Sequence, residues 1–327
     1  MIKMPDTLII TRRDIQRLMG PSDFLDAVDL GFRAGAMGKA KAPHPLHLSG
    51  DRGGFHAKAA SISLGRVYVA VKVNGNFPDN PARHGLPTIQ GAIILSDGAN
   101  GRLLAVIDSI EVTLRRTAAA SALAAKLLAK PNSSTLLICG CGEQGRAHLD
   151  ALCEVLPIDR CIIWDRDRHL AHALAAELGG CAMDDLKEAA EAADIIACCT
   201  TSRHPYVDLE MVKPGTFIAA VGADNPDKSE ISPALMTAAK LVTDVTSQCA
   251  EMGDLHHAIA AGAKTAADVH AELGELLVGE KAGRTSQEEI IIFDSTGSGL
   301  QDVAASAAIY ERCKSDSSIL SIALSDA

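Results

Sequence analysis

The sequence predicts an α/β protein, with a Rossmann-type doubly wound parallel sheet joined to an N-terminal α+β domain built on an antiparallel sheet. Three observations carry this. Short apolar strands alternate with helices from about residue 117 onward. The stretch "LLICGCGEQGRAHLD" (136–150) places three glycines between a strand and a helix. Residues 1–115 instead hold long β-rich segments, one of them split by a hairpin turn.

In chain order, "GFHAKAA" (54–60) alternates in a way that puts His56 and Lys58 on one face of a strand. "GRVYVAVKVNG" (65–75) and "QGAIILSDGANGRLLAVID" (90–108) read as strands, the second divided at Asn100-Gly101. An Ala/Leu helix, "TAAASALAAKLLA", is expected from about Thr117. Strands "STLLICG", "RCIIWD", "ADIIACCT", "TFIAAVG" and "AKLVTDV" follow; "EQGRAHLDALCEVL" and "RHLAHALAAELGG", between the first three, have helical apolar spacing. A last helix is expected over "GLQDVAASAAIYERCKS".

Composition narrows the function classes. A chain of 327 residues with 47% hydrophobic content buries a large core and suggests about two domains. The net charge of −10 argues against a nucleic-acid partner or an acidic membrane surface, which require clustered cations. With no long apolar run and no signal-like N-terminus, the expected compartment is cytoplasmic. The nine cysteines show neither a disulfide framework nor metal-ligand spacing, so they read as small core residues and no metal is expected.

The glycine turn has the setting a dinucleotide site needs. Gly140 ends a strand, Gly142 lets the backbone approach a pyrophosphate, and Gly145 lies in the first helical turn, where a side chain would strike the strand. Glu143 and Gln144 lie in the same turn and belong to the candidate cradle. Asp165, at the end of the next strand, is placed to accept hydrogen bonds from a ribose. The alternative is an ordinary strand-to-helix turn. Asp165 would repel a 2′-phosphate and so favours NAD over NADP, while Arg166 and Arg168 beside it keep NADP possible.

Taken with this turn, three further stretches resemble the ornithine cyclodeaminase/μ-crystallin family of NAD(P)-dependent enzymes. They are "VKVNGNFPDNPARHGLPTIQG" (71–91), "VIDSIEVTLRRTAAASALAAKLLA" (106–129) and "AVGADNPDKSEI" (220–231), and the match in order and spacing extends to "AELGEL" (271–276) and 294–305. The resemblance implies a homodimer whose antiparallel domain makes the subunit contact and holds substrate against the nicotinamide. It also implies domains of 1–116 plus 301–327 and of 117–300, with the last helix rejoining the first domain.

Site residues follow from the same resemblance. Lys72, among Val69, Val71 and Val73, is a cation that needs an anionic partner, and the family's matching lysine faces the substrate carboxylate; the alternative is a lysine snorkelling from a strand edge. The resemblance puts Arg116 on that carboxylate, Thr117 near a cofactor phosphate at its helix N-terminus, and Val221 with the cofactor; a cap and a surface arginine are the plainer reading of the "RRT" stretch. Asp224, after the strand "TFIAAVG", matches the aspartate of a Gly-x-Asp-x-Pro motif through Gly222 and Pro226, although Asp227 stands where a glycine is usual. It would act as a general base or orient water; the alternative is a loop aspartate, with Ser229 the better candidate to cap the following helix.

Departures from the cyclodeaminase pattern bear on the reaction. His44 or His47 stands near the position of a family arginine, and His56 and Lys58 occupy the region of an acidic residue that grips a diamino acid. These histidines are equally readable as surface residues. The expected activity is hydride transfer between NAD(H) and the Cα of a small amino acid or its imine, cyclic or open, as in a ketimine reductase or an alanine dehydrogenase. The alternatives are ornithine cyclodeamination with NAD recycled and a non-catalytic binding protein of the μ-crystallin kind.

Overall fold

In the computed structural model, which describes residues 6–324, the period-two alternation of residues 54–76 becomes a long antiparallel hairpin. It belongs to the first of two compact units, made of the chain up to Arg116 together with the stretch from Ser298 onward; the second is Thr117–Gly297.

The strands of the first unit are β1 (Thr7–Ile10), β2 (Ala40–Lys41), β3 (Leu46–Ser49), β4 (Gly54–Ser63), β5 (Val67–Asn76), β6 (Ile89–Asp97) and β7 (Leu103–Asp108). Across the sheet the order is Leu320–Ile322, β1, β7, β6, β5, β4, with β2 and β3 both on the far edge of β4. All pairings are antiparallel except β1 with β7, a parallel pair that the sequence did not suggest. Strand alternation sends Ala60, Ile62, Tyr68, Ala70, Ile93 and Leu95 to one buried face. The helix Gly299–Cys313 packs on that face and on the helix Pro21–Ala36. The opposite face leaves Val67, Val71, Val73 and Ile94 exposed.

The second unit holds β8 (Thr135–Cys139), β9 (Arg160–Trp164), β10 (Cys181–Ala182), β11 (Ile195–Cys198), β12 (Phe217–Ala220), β13 (Lys240–Thr243), β14 (Ala271–Glu272) and β15 (Ile291–Asp294). All are parallel, in the order β10, β9, β8, β11, β12, β15, β13, β14. The chain winds outward from β8 to β10 and returns to β11 on the other side of β8, which creates a topological switch point beside β8. Leu137, Ile162, Ile196, Ile218 and Ile292 from neighbouring strands form one core cluster.

Some elements differ from the sequence expectation. The Ala-rich helix runs Ser109–Leu128, so Thr117 lies well inside it rather than at its N-terminus. The start is fixed by Asp108, whose carboxylate accepts the Glu111 N–H at 2.8 Å, while the β-branched residues of "SIEVT" disguised the first turns. β15 was not anticipated, because its apolar run follows a long irregular segment. The helix after the Asp224 loop is Pro233–Ala238; its cap is Ser232, which accepts the Leu235 N–H, and Ser229 instead donates to Asp254. Among the cysteines, Cys153 and Cys181 are exposed rather than in the core. No helix among the described residues is long and apolar enough to cross a membrane.

Candidate active site

The glycine turn sits at the carboxyl end of β8, beside the switch point. Gly140 has φ +105°, a conformation that L side chains rarely adopt. A Cβ on Gly145 would lie 2.1 Å from the Gly140 carbonyl oxygen, so only glycine lets the helix Glu143–Val155 start this close to the strand. A Cβ on Gly142 would meet nothing within 4 Å, and no side chain caps the helix. The turn therefore offers uncapped first-turn amides to open space, which suits a pyrophosphate. Glu143 is exposed beside them. The side-chain oxygen Oε1 of Gln144 is buried without a hydrogen-bond partner.

Asp165 closes the turn from the next strand. Its Oδ2 accepts the Cys141 N–H at 2.9 Å, and its Oδ1 accepts the Asp167 N–H at 2.9 Å. Arg166 is exposed beside it, while Arg168 is engaged with Asp184 at 3.1 Å. Val221 is buried just past β12, its N–H donating to the Cys198 carbonyl.

A buried histidine ties two candidate cofactor segments together. The sequence reading passed it over. Burial pushes His148 down to about 4, so at neutral pH Nδ1–H donates to the Gln144 carbonyl at 2.8 Å and Nε2 accepts the Ser121 hydroxyl at 2.9 Å. Ser121 lies one turn beyond Thr117, whose side chain is nearly buried. The spacing of Gln144 and His148 on one helix face was the available signal.

In the first unit, β5 and the helix Gly299–Cys313 build a buried charge cluster. Lys72 is 4% exposed, with Nζ 2.7 Å from Oδ2 of Asp302 and donating to Oδ1 at 2.9 Å and to Thr113 Oγ1 at 3.2 Å. Arg116, also buried, donates through Nε to Asp302 at 3.1 Å and through Nη1 to Gln301 at 2.7 Å. Burial pushes Lys72 down to about 7, with the cations of Arg116 and Lys58 adding to the effect and Asp302 opposing it. Burial favours the neutral form of Asp302, but Lys72 and Arg116 outweigh it and hold the carboxyl below its ordinary range. Asp302 is thus the anionic partner that Lys72 requires, and sequence reasoning missed it. An acid in the first turn of the apolar "GLQDVAASAAIYERC" was the clue.

Lys58 lies directly across from Lys72 in the β4–β5 register, and His56 across from Asn74 on the same face. His47, on β3, pairs with His56 in register, with their Nδ1 atoms 3.3 Å apart. His44 is exposed in the segment ahead of β3.

Asp224 belongs to the second unit, in the loop after β12. Its side chain is 45% exposed and accepts from Lys228 Nζ at 2.7 Å and from Asn225 Nδ2 at 3.3 Å. Lys228 follows Asp224 by four positions, a spacing this loop brings into contact without a helix.

These arrangements can be set beside known proteins. The family model described as the ornithine cyclodeaminase/mu-crystallin family matches residues 5–317. The chain belongs to this family. Among family relatives, it is 37% identical over 313 residues to the alanine dehydrogenase of Archaeoglobus fulgidus, spanning 95% of this chain and 96% of that one. A solved archaeal alanine dehydrogenase dimer with bound NAD matches with a TM-score of 0.93 at 36% identity, covering 98% of this chain and 100% of the other. The iminosuccinate reductase of Paracoccus denitrificans, solved in complex with NAD+, matches with a TM-score of 0.90 at 31% identity, with coverage of 98% and 100%.

Proposed function

We propose that this family member is a NAD-dependent oxidoreductase that moves a hydride between the nicotinamide and the Cα of a small amino acid or its imine. The carrying observation is the buried cluster in which Lys72 and Arg116 share one carboxylate, Asp302. One carboxylate balances only one cation, so burial pushes Lys72 down to about 7; the carboxylate of a 2-imino acid would supply the second anion and favour the charged Lys72. The relatives named above, with their bound NAD, support the cofactor and the reaction class.

The glycine turn would hold the pyrophosphate on its first-turn amides, with Asp165 toward the ribose and Thr117 and Val221 nearby. Bound NADH supplies the hydride. Lys72 and Arg116 bind and orient the carboxylate, with Lys58 adding positive charge and His56 and His44 lining the substrate side. Asp224 exchanges a proton with the nitrogen. As the C=N bond is reduced, hydride adds to Cα and the π electrons stay on nitrogen as the amine lone pair.

The same reading includes a homodimer, supported by the exposed apolar face of β5 and β6 and by the dimeric archaeal relative. It also includes a reducing, cytoplasmic compartment, supported by nine free thiols.

The test follows NADH absorbance with cyclic imines, with 2-oxo acids plus ammonia or methylamine, and in reverse with L-amino acids. NADH consumption with a small imine is expected. Ammonia release from L-ornithine without net absorbance change would establish cyclodeamination instead. Binding of NAD with no turnover of any of these would leave a binding protein.

A further inference from the structure

Glu230 is fully buried in the second unit, toward the far end of the loop that carries Asp224. Its Oε1 accepts three hydrogen bonds: from the Thr200 N–H at 2.8 Å, the Thr200 hydroxyl at 2.6 Å and the Tyr206 hydroxyl at 2.8 Å. Its Oε2 accepts the Gly222 N–H at 2.7 Å. Thr200 lies two residues past the end of β11 and Gly222 two residues past the end of β12, so one carboxylate joins both loops at the carboxyl edge of the sheet. The fit is close. A Cβ on Gly222 would lie 2.2 Å from the Thr200 carbonyl oxygen and 2.6 Å from Glu230 Cδ, which explains the glycine of the Gly-x-Asp-x-Pro motif. The far end of the loop is anchored as well, because the Glu230 and Ile231 N–H groups donate to Asp254 Oδ1 at 2.8 and 3.0 Å.

We propose that Glu230 is a positioning residue: its carboxylate ties the loop after β11 to the loop bearing Asp224 and so fixes Asp224 for proton exchange. This rests on the reading of Asp224 given above. All four groups around the carboxylate are donors, so the ionised form satisfies every one of them. Protonation removes the charge that strengthens these bonds and adds a fifth donor to a ring of donors. The titratable groups facing Glu230 are Asp254, Cys198, Cys199 and Tyr206. Burial, with the Asp254 carboxylate adding to it, pushes Glu230 up to about 7. The tie is therefore complete above neutral pH and slackens below it.

The experiment compares kcat and KM for the best imine from pH 5.5 to 9 in the wild type, Glu230→Gln, Tyr206→Phe and Asp224→Asn. Amide hydrogen exchange at Thr200 and Gly222 is measured in parallel. Glu230→Gln should lower kcat about tenfold at pH 8 with KM changed far less, lose the acid limb near pH 7, and lose protection at both amides while the core strands keep theirs. Tyr206→Phe keeps the ring and removes one donor, so the carboxylate ionises less readily and the acid limb should move to higher pH. Wild-type kcat and an unmoved limb in both variants would overturn the proposal, and so would lost protection with unchanged turnover. If Asp224→Asn retains wild-type turnover, the reading of Asp224 itself fails; if it is inactive while the Glu230 and Tyr206 variants behave as wild type, only the positioning role fails.

Discussion

At the scale of single residues, the decisive feature is one carboxylate serving two buried cations. Replacing Asp302 with Asn leaves Arg116 buried without its counter-ion and drives Lys72 further toward its neutral form, a change expected to cost about 3–5 kcal/mol. Urea unfolding would measure it, and a loss under about 1 kcal/mol would mean that water already screens the cluster. Lys72 also gives stability a pH slope. Its folded value of about 7 lies below the ordinary 10.5, so between these limits the unfolded chain holds a proton that the folded chain has shed. Stability from this group therefore rises with pH across that window, is fully present above it, and is lost as pH falls through about 7. Lys72→Met should flatten the slope of the urea midpoint between pH 7 and 10; an unchanged slope would show that another group sets it. The sequence showed that Lys72 needed an anion, because a cation among valines demands one. It could not show that Asp302 fills part of that need, since the partner lies far away in the chain and only the packing of the last helix on β5 brings it close.

At the scale of elements, the strand–turn–helix around Gly140, Gly142 and Gly145 was legible because its constraint is local: a backbone approach that tolerates no side chain. Gly145→Ala tests that constraint. The added methyl would lie 2.1 Å from the Gly140 carbonyl oxygen, so strand and helix must separate. NAD affinity measured by calorimetry should fall at least about tenfold and the melting temperature should drop; wild-type binding would show that the turn does not hold the cofactor. The start of the helix Ser109–Leu128 was less legible, because its first turns carry β-branched residues and its cap, Asp108, is also the last residue of a strand. β15 escaped notice for a related reason. Three apolar residues and an aspartate after a long irregular stretch have no periodicity of their own, and only their insertion between β12 and β13 makes them a strand. Asp165 belongs to this scale too, since its carboxylate braces the Cys141 N–H and, on the proposed reading, would lie toward the ribose and repel a 2′-phosphate. NAD should bind more tightly than NADP, and calorimetry giving equal or tighter NADPH binding would point to Arg166 as the residue that reverses the preference.

At the scale of the whole molecule, the remaining question is what covers the outer face of the antiparallel sheet. Val67, Val71 and Val73 on β5 and Ile94 on β6 are each between 37% and 45% exposed, and Val71 and Ile94 stand directly opposite in register. An antiparallel sheet with one face on its own core ordinarily shows polar residues on the other. A sheet that is apolar on both faces calls for a second layer, and a second copy of the same chain supplies one by two-fold symmetry. The double variant Val71→Lys/Ile94→Glu tests this with little harm to the fold. Its opposite charges face each other across the strands and support the pairing, and the net charge of the chain does not change. The same charges could not be buried at the centre of an apolar seam without a large desolvation cost. Sedimentation at micromolar concentration should show a wild-type dimer and a monomeric variant, with the variant's far-ultraviolet circular dichroism unchanged. A wild type that sediments as a monomer, or a variant that stays dimeric, would remove this face as the subunit contact.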